Sequence, residues 1–318
     1  MAMNRKIDSP IKSRRFDMDE LIYHTSWAFM RELRTHNSTK RIYEIDPYAE
    51  VYKFRQNLYC IFAENIDGKG DAWSYLIEGP EKALLIDTNF GLGDLKGLVR
   101  ELIGDKELLV VNTHPHPDHA GGNAQFEKVH ILKEDAPMLR QRSVAPLLNE
   151  KILNSDGTCR DVEFDVADMI ENKPYEIVEI SDGHVFDLGG GYEVEVIRLA
   201  GHSKGQAAYL DRKNRILFPG DDVIAMRVGL GSREPGTVRE FRDNMVKLAA
   251  RLHEFDSIFP GHFIVDIDSS AILDMVDTLN AIIEDPSNYD YMEHGSRGVT
   301  YCKTVKGLGC IGYQPEGV

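Results

Sequence analysis

The chain has 318 residues, 42% hydrophobic and 28% charged, enough for one large α/β domain or two smaller ones. Its 37 Lys and Arg against 52 Asp and Glu give a formal charge of −15, which argues against a nucleic-acid backbone as ligand and for a small-molecule substrate. The four cysteines form no C-x-x-C pair, no run of 18 apolar residues occurs, and the N-terminus lacks the apolar centre of a signal peptide. The expectation is a cytoplasmic protein with reduced thiols and no membrane contact.

In chain order, DELIYHTSWAFMRELRTH (19–36) predicts one amphipathic helix within an N-terminal extension, residues 1–54. Its apolar stripe (Leu21, Ile22, Trp27, Phe29, Met30) is expected to dock on a partner chain, giving a homodimer through the extension. The domain proper, 55–318, opens with strands at 57–63 and 71–77 and a near-continuous apolar strand in ALLIDTNFG (83–91). Helical spacing follows in GDLKGLVRELIG, then a buried strand in ELLVVNTH (107–114), and the strand KVHIL and a helix to about Arg142. Residues 143–175 are polar and irregular and predict an inserted helix-and-loop segment. From 176 the pattern is β-rich, with DRKN as a hairpin turn between QAAYL and RILF. Amphipathic helices are predicted at 237–255 and 269–285, a short strand in SIFPGH, and a hairpin in the tail VTYCKTVKGLGCIGY. Strands in blocks with helices after them imply two sheets packed together and covered by helices.

The chemistry concentrates at strand ends. NTHPHPDHAGGN places His114, His116, Asp118 and His119 in a segment stiffened by Pro115 and Pro117, so it cannot be a helix interior. His202 follows RLAG, Asp221 follows RILFPG, and His262 follows IFPG. A glycine before each of the last three lets the backbone turn sharply, and strand ends are where a rigid sheet can aim side chains into one cleft. Seven imidazole and carboxylate donors suit two divalent ions of the zinc type. Asp222 stands beside Asp221. Adjacent side chains on extended backbone point oppositely, so only one can face a metal, and the position after Gly220 favours Asp221. His24, His36, His130, His184, His253 and His294 lack this context and are read as structural or solvent-facing.

These segments, in this order, resemble the metallo-β-lactamase-fold hydrolases from about residue 55 to 265. The H-x-H-x-D-H loop is followed by Gly121, Gly122 and Asn123, GHSKG carries His202, and LLIDTNFG supplies Asp87. The resemblance implies an α/β fold, a four-layer αββα sandwich of two mixed β-sheets flanked by helices. It implies a first metal on His114, His116 and His202, and a second on Asp118, His119 and His262. Asp221 would bridge both, with Asp87 and Ser203 supporting the ligands from behind. Two zinc ions are the implied cofactors, with iron or manganese as alternatives. A hydroxide shared between the ions would attack the carbonyl of a small ester, thioester or lactone, with Asp118 and Asp221 carrying protons.

Glyoxalase II-like thioesterases share THxHxDHxGGN. Lactonases of the fold carry a tyrosine shortly after the bridging aspartate, and DDVIAMRVGL has none. The competing class is a persulfide dioxygenase-like oxidoreductase with one iron. β-Lactam or phosphodiester hydrolysis on the same fold are further alternatives.

Overall fold

A computed structural model of the chain describes residues 12–13, 27–63, 71–142, 153–160, 162–171, 173–230, 237–295 and 298–318. They divide into two compact units. The first, mainly residues up to His130 and Ala136–Val178, is built on an eight-stranded sheet. Three of its strands, Lys82–Ile86, Glu107–Val111 and Lys128–Leu132, run parallel and adjacent. Parallel strands are buried on both faces, which is why KALLI and ELLVV read as apolar runs. Antiparallel partners extend the sheet through Trp73–Glu78, Leu58–Ala63, Asp46–Arg55 and Arg41–Tyr43. The helix Leu95–Ile103, capped by Asp94, buries Leu95, Leu98, Val99 and Ile103 in the core this sheet shares with Leu76, Leu85 and Val110. Because Lys82–Ile86 and Glu107–Val111 are parallel, their C-terminal ends fall on one edge. Asp87 N–H donates there to Val111 O at 2.8 Å, so Asp87 and the histidine loop emerge side by side.

The second unit, mainly Glu193–Val318 with Ile131–Asp135 and Glu179–Asp187, carries a six-stranded sheet. Glu193–Arg198, Ala207–Asp211 and Ile216–Phe218 alternate in direction, and Ile216–Phe218 is parallel to Ser257–Ile258. The first, third and fourth of these strands therefore end on the same edge, and each leads within a few residues to His202, Asp221 or His262. Helices Thr237–Ala249 and Ala271–Glu284 seal the core with Phe241, Met245, Ile272, Met275 and Leu279. The tail hairpin, Gly298–Val305 with Gly309–Tyr313, is joined by Tyr291–Gly295 and Arg227–Gly229 into a separate four-stranded sheet.

Strand replaces extension at the N-terminus. The expected helix is described only as Trp27–Thr35, and residues 41–55, read as part of the helical extension, are two strands of the large sheet. The described part of the helix packs within the chain. Met30 and Arg34 are buried, and the Arg34 guanidinium lies 4.0 Å over the Phe62 ring while donating to Glu50 at 3.0 Å. Burial pulls the Glu50 carboxyl upward, but Arg34 and Lys40 outweigh it and hold the group below its usual range. Leu21 and Ile22, and the side chain of Trp27, lie outside the described residues, as do residues 143–152 of the expected insert. The rest of that insert holds a two-residue strand, Val162–Glu163, and the short helical turn Val166–Asp168.

Asp46, at the start of its strand, is 2% exposed, and burial lifts its carboxyl to about 7, with Asp94 and Asp168 adding repulsion. A carboxyl raised in the folded state contributes stability that is complete below its unfolded pKa, about 4, and is lost as pH climbs towards 7. The loss is at most on the order of 4 kcal/mol. Asp46→Asn is expected to flatten the fall in stability between pH 4 and 7 and to be the more stable form at pH 8. Urea unfolding at pH 5 and pH 8 checks this, and an equal pH slope in both proteins would refute it.

Candidate metal centre

In the first unit the histidine loop is half loop and half helix. Pro117 opens a single helical turn, Pro117–Ala120, at the position where proline costs no hydrogen bond. Asp118 and His119 thus leave a helical backbone, whereas His114 and His116 precede it. The nitrogens His114 Nε2 and His116 Nδ1 converge at 2.9 Å, and His119 Nε2 lies 3.6 Å from Asp118 Oδ2. His114 and His119 are fully buried, while His116 and Asp118 are half-buried.

Asp87 anchors this cluster. It is buried with φ of 63°, a left-handed conformation that aspartate tolerates better than most residues. Its Oδ1 accepts from Thr113 N–H at 2.8 Å, and its Oδ2 pairs with Thr113 Oγ1 at 2.8 Å and His119 Nδ1 at 2.9 Å. A carboxylate accepts only, so the His119 proton sits on Nδ1 and the Nε2 lone pair is left for a ligand. Beneath the loop, Thr88 Oγ1 donates to Asn123 Oδ1, Asn123 Nδ2 to Asn112 Oδ1, and Asn112 Nδ2 to His119 O, at 2.8, 2.7 and 3.1 Å. Sequence reading passed over Thr88, Asn112 and Thr113. The only signal was their polarity at the ends of apolar strands.

In the second unit Asp221 Oδ2 lies between two imidazoles, 3.5 Å from His202 Nε2 and 3.3 Å from His262 Nε2. His202 Nδ1 donates to Gly229 O at 2.7 Å, so the ring proton sits on Nδ1 and the lone pair on Nε2. Asp222 is turned away. Its Oδ1 accepts the His202 backbone N–H at 2.9 Å, and its Oδ2 is buried with no hydrogen-bond partner among the described residues. Burial, with added repulsion from Asp221 and Asp135, pushes the Asp222 carboxyl well above the usual range.

The separation of the two acids arises differently from the expectation. Gly220–Asp222 is a tight helical turn rather than extended chain, and Gly220 enters it at φ of 57°. Gly201 serves another purpose. A Cβ there would lie 2.4 Å from the Phe241 ring, so this glycine permits close packing rather than an unusual turn. Ser203 faces Asp135, with Oγ donating to Oδ2 at 2.5 Å. His130, read as structural, has Nδ1 bonded to Val110 O at 2.9 Å.

The donors fit divalent metal. Each unit gathers imidazoles and carboxylates, the N and O mixture that zinc-type ions take. The hydrogen bonds of Asp87 and Gly229 fix the tautomers of His119 and His202 in the ligand form.

The model of the metallo-beta-lactamase superfamily matches residues 67–287, and the chain belongs to that family. Among solved structures, a metallo-beta-lactamase from Pontibacter korlensis superposes with a TM-score of 0.52 at 18% identity, over 73% of this chain and 99% of that one. A family member from Thermus thermophilus gives 0.52 at 18%, over 76% and 85%. These likenesses establish the fold, an α/β sandwich of mixed sheets flanked by helices. By sequence, the chain is similar to the acyl-coenzyme A thioesterase MBLAC2 of Homo sapiens, 31% identical over 165 residues, 47% of this chain and 57% of the relative. It is also similar to a hydroxyacylglutathione hydrolase of Erythrobacter litoralis, 27% identical over 182 residues, 57% of this chain and 59% of the relative. The chain thus spans somewhat over half the length of these relatives. Among the described residues no helix is long and apolar enough to cross a membrane.

Proposed function

We propose that the chain is a metal-dependent hydrolase of acyl thioesters. In this reading His114, His116 and His202 hold one ion, Asp118, His119 and His262 hold a second, and Asp221 bridges them. The observation that carries it is Asp221 Oδ2, which lies between the donor nitrogens of His202 and His262 while Asp222 faces away. The relatives support the choice of substrate class. The names of both describe an acyl group on a thiol carrier, coenzyme A in one and glutathione in the other.

A pair of zinc-type ions, when bound, supplies a Lewis acid for the carbonyl and a water acidic enough to react near neutral pH. The chain's own part is to hold donors and move protons. Asp87 and the Gly229 carbonyl keep the His119 and His202 rings in the ligand tautomer. Asp118, half-buried at the start of its helical turn, would accept a proton at the carboxylate oxygen not engaged by an ion and return it to the departing thiolate. A thiol leaving group, with a pKa near 8.5, needs little help from a strong general acid. No serine or cysteine nucleophile is invoked.

Elemental analysis of protein purified without added metal, with assays on acyl-coenzyme A, acylglutathione and lactone, tests this reading. About two zinc per chain and turnover of a thioester are expected. One iron per chain, or lactone turnover without thioester turnover, overturns it.

A further inference from the structure

The segment Gly201–Gly205, which presents His202, is gripped from three sides by buried groups of the second unit. Asn244 Nδ2, on the helix Thr237–Ala249, donates to Ala200 O at 3.0 Å, just before the segment begins. Asp222 Oδ1 takes the His202 N–H at 2.9 Å. Asp135, 68 positions earlier in the chain, takes the Ser203 hydroxyl at 2.5 Å and also the Gly205 backbone N–H. A Cβ on Gly205 would lie 2.7 Å from Asp135 N, so the turn and the aspartate are in direct backbone contact.

Asp135 stands immediately before the helix Ala136–Arg142, where an aspartate ordinarily serves its own helix as a cap. Here the carboxylate accepts from a remote segment. Asp135 and Asp222 are 2% and 0% exposed, and among the described residues neither forms an ion pair with lysine or arginine. Two buried carboxyls without a cation are costly. Both, however, hydrogen-bond to the segment that carries His202, where a bound dication would offset them.

We infer that Asp135 is a positioning residue for the metal centre, acting through the Ser203 hydroxyl to fix the turn from which His202 reaches its ion. The inference rests on the proposed function. The hydroxyl of Ser203 is the link, since it is the side chain next to His202 and its only described partner is Asp135. Removing either end frees the turn on one side while leaving His202, its Gly229 bond and its Asp222 bond in place.

The test uses holoprotein produced with cobalt, comparing wild type, Asp135→Ala, Ser203→Ala and Ser203→Thr. The readouts are cobalt stoichiometry, the visible ligand-field spectrum, and the chelator concentration that strips each ion. Wild type is expected to hold two ions. Asp135→Ala and Ser203→Ala are expected to lose one of them at chelator concentrations about 10–100-fold lower, with a changed spectrum for that ion and the other ion retained. Ser203→Thr, which keeps the hydroxyl, is expected to restore the wild-type spectrum. A purely structural role would lower the unfolding temperature and leave the spectrum alone. If Asp135→Ala does not fold, the Ser203 pair carries the test. Wild-type spectra and chelator resistance in the alanine variants overturn this inference alone, as does a loss that threonine fails to restore. A wild type that binds no cobalt overturns both this and the proposed function.

Discussion

Asp221→Asn is expected to lower turnover by about a hundredfold or more, since loss even of groups behind the ligands costs 10–100-fold. The carboxylate oxygen stands 3.5 and 3.3 Å from the donor nitrogens of His202 and His262. In the proposed two-ion centre an amide there would remove one negative charge from between the dications, and in one of its two orientations it would turn an N–H₂ towards them. Metal content should fall together with activity. Asp222→Asn is expected to be much milder, because the asparagine carbonyl can still accept the His202 N–H. Asp222→Ala, which leaves that N–H unpaired, should cost about 1–3 kcal/mol of stability. Metal analysis beside steady-state kinetics checks the pair. Were Asp222→Asn the variant that lost metal and turnover, the bridging role would belong to Asp222.

Asp87→Asn is expected to weaken metal binding by about 10–100-fold without unfolding the chain. Asparagine tolerates the φ of 63° and can still accept from Thr113 N–H. The position facing His119 Nδ1 is the problem. An amide N–H₂ there meets a ring N–H, and the imidazole can relieve the clash only by moving its proton to Nε2, the ligand atom. Activity at limiting zinc should fall with metal occupancy and recover in part as zinc is raised. Circular dichroism separates this from loss of fold. A variant that holds zinc as tightly as wild type would show that His119 does not depend on Asp87 for its tautomer.

The strands that carry the chemistry were legible because burial on both faces writes an unbroken apolar run, as in KALLI and RILF. The ends of those runs are marked by polar residues, buried here in mutual hydrogen bonds, that an apolar core would not hold unpaired. Asp46–Arg55 was not legible. DPYAEVYKFR mixes Asp, Glu, Lys and Arg with its apolar residues, and its burial is fixed by antiparallel pairing with Leu58–Ala63 rather than by its own pattern. Arg227–Gly229 and Tyr291–Gly295 went unread for a similar reason, since one is three residues long and the other is an exposed edge.

The sequence by itself determined which side chains are candidate ligands, because HPHPDH, GH, GDD and GH are local and each follows a strand. Only the tertiary structure shows how Asp221 comes to face His202 and His262 while Asp222 turns to the His202 N–H, since a tight turn entered through Gly220 sets where each carboxylate points. It alone joined Asp87 to His119 and Asp135 to Ser203, pairs 32 and 68 positions apart, because hydrogen bonds of that range exist only once strands have paired. Ligand identity is a property of residue type at a strand end. Ligand orientation is a property of the buried polar groups behind it, and those come from distant parts of the chain.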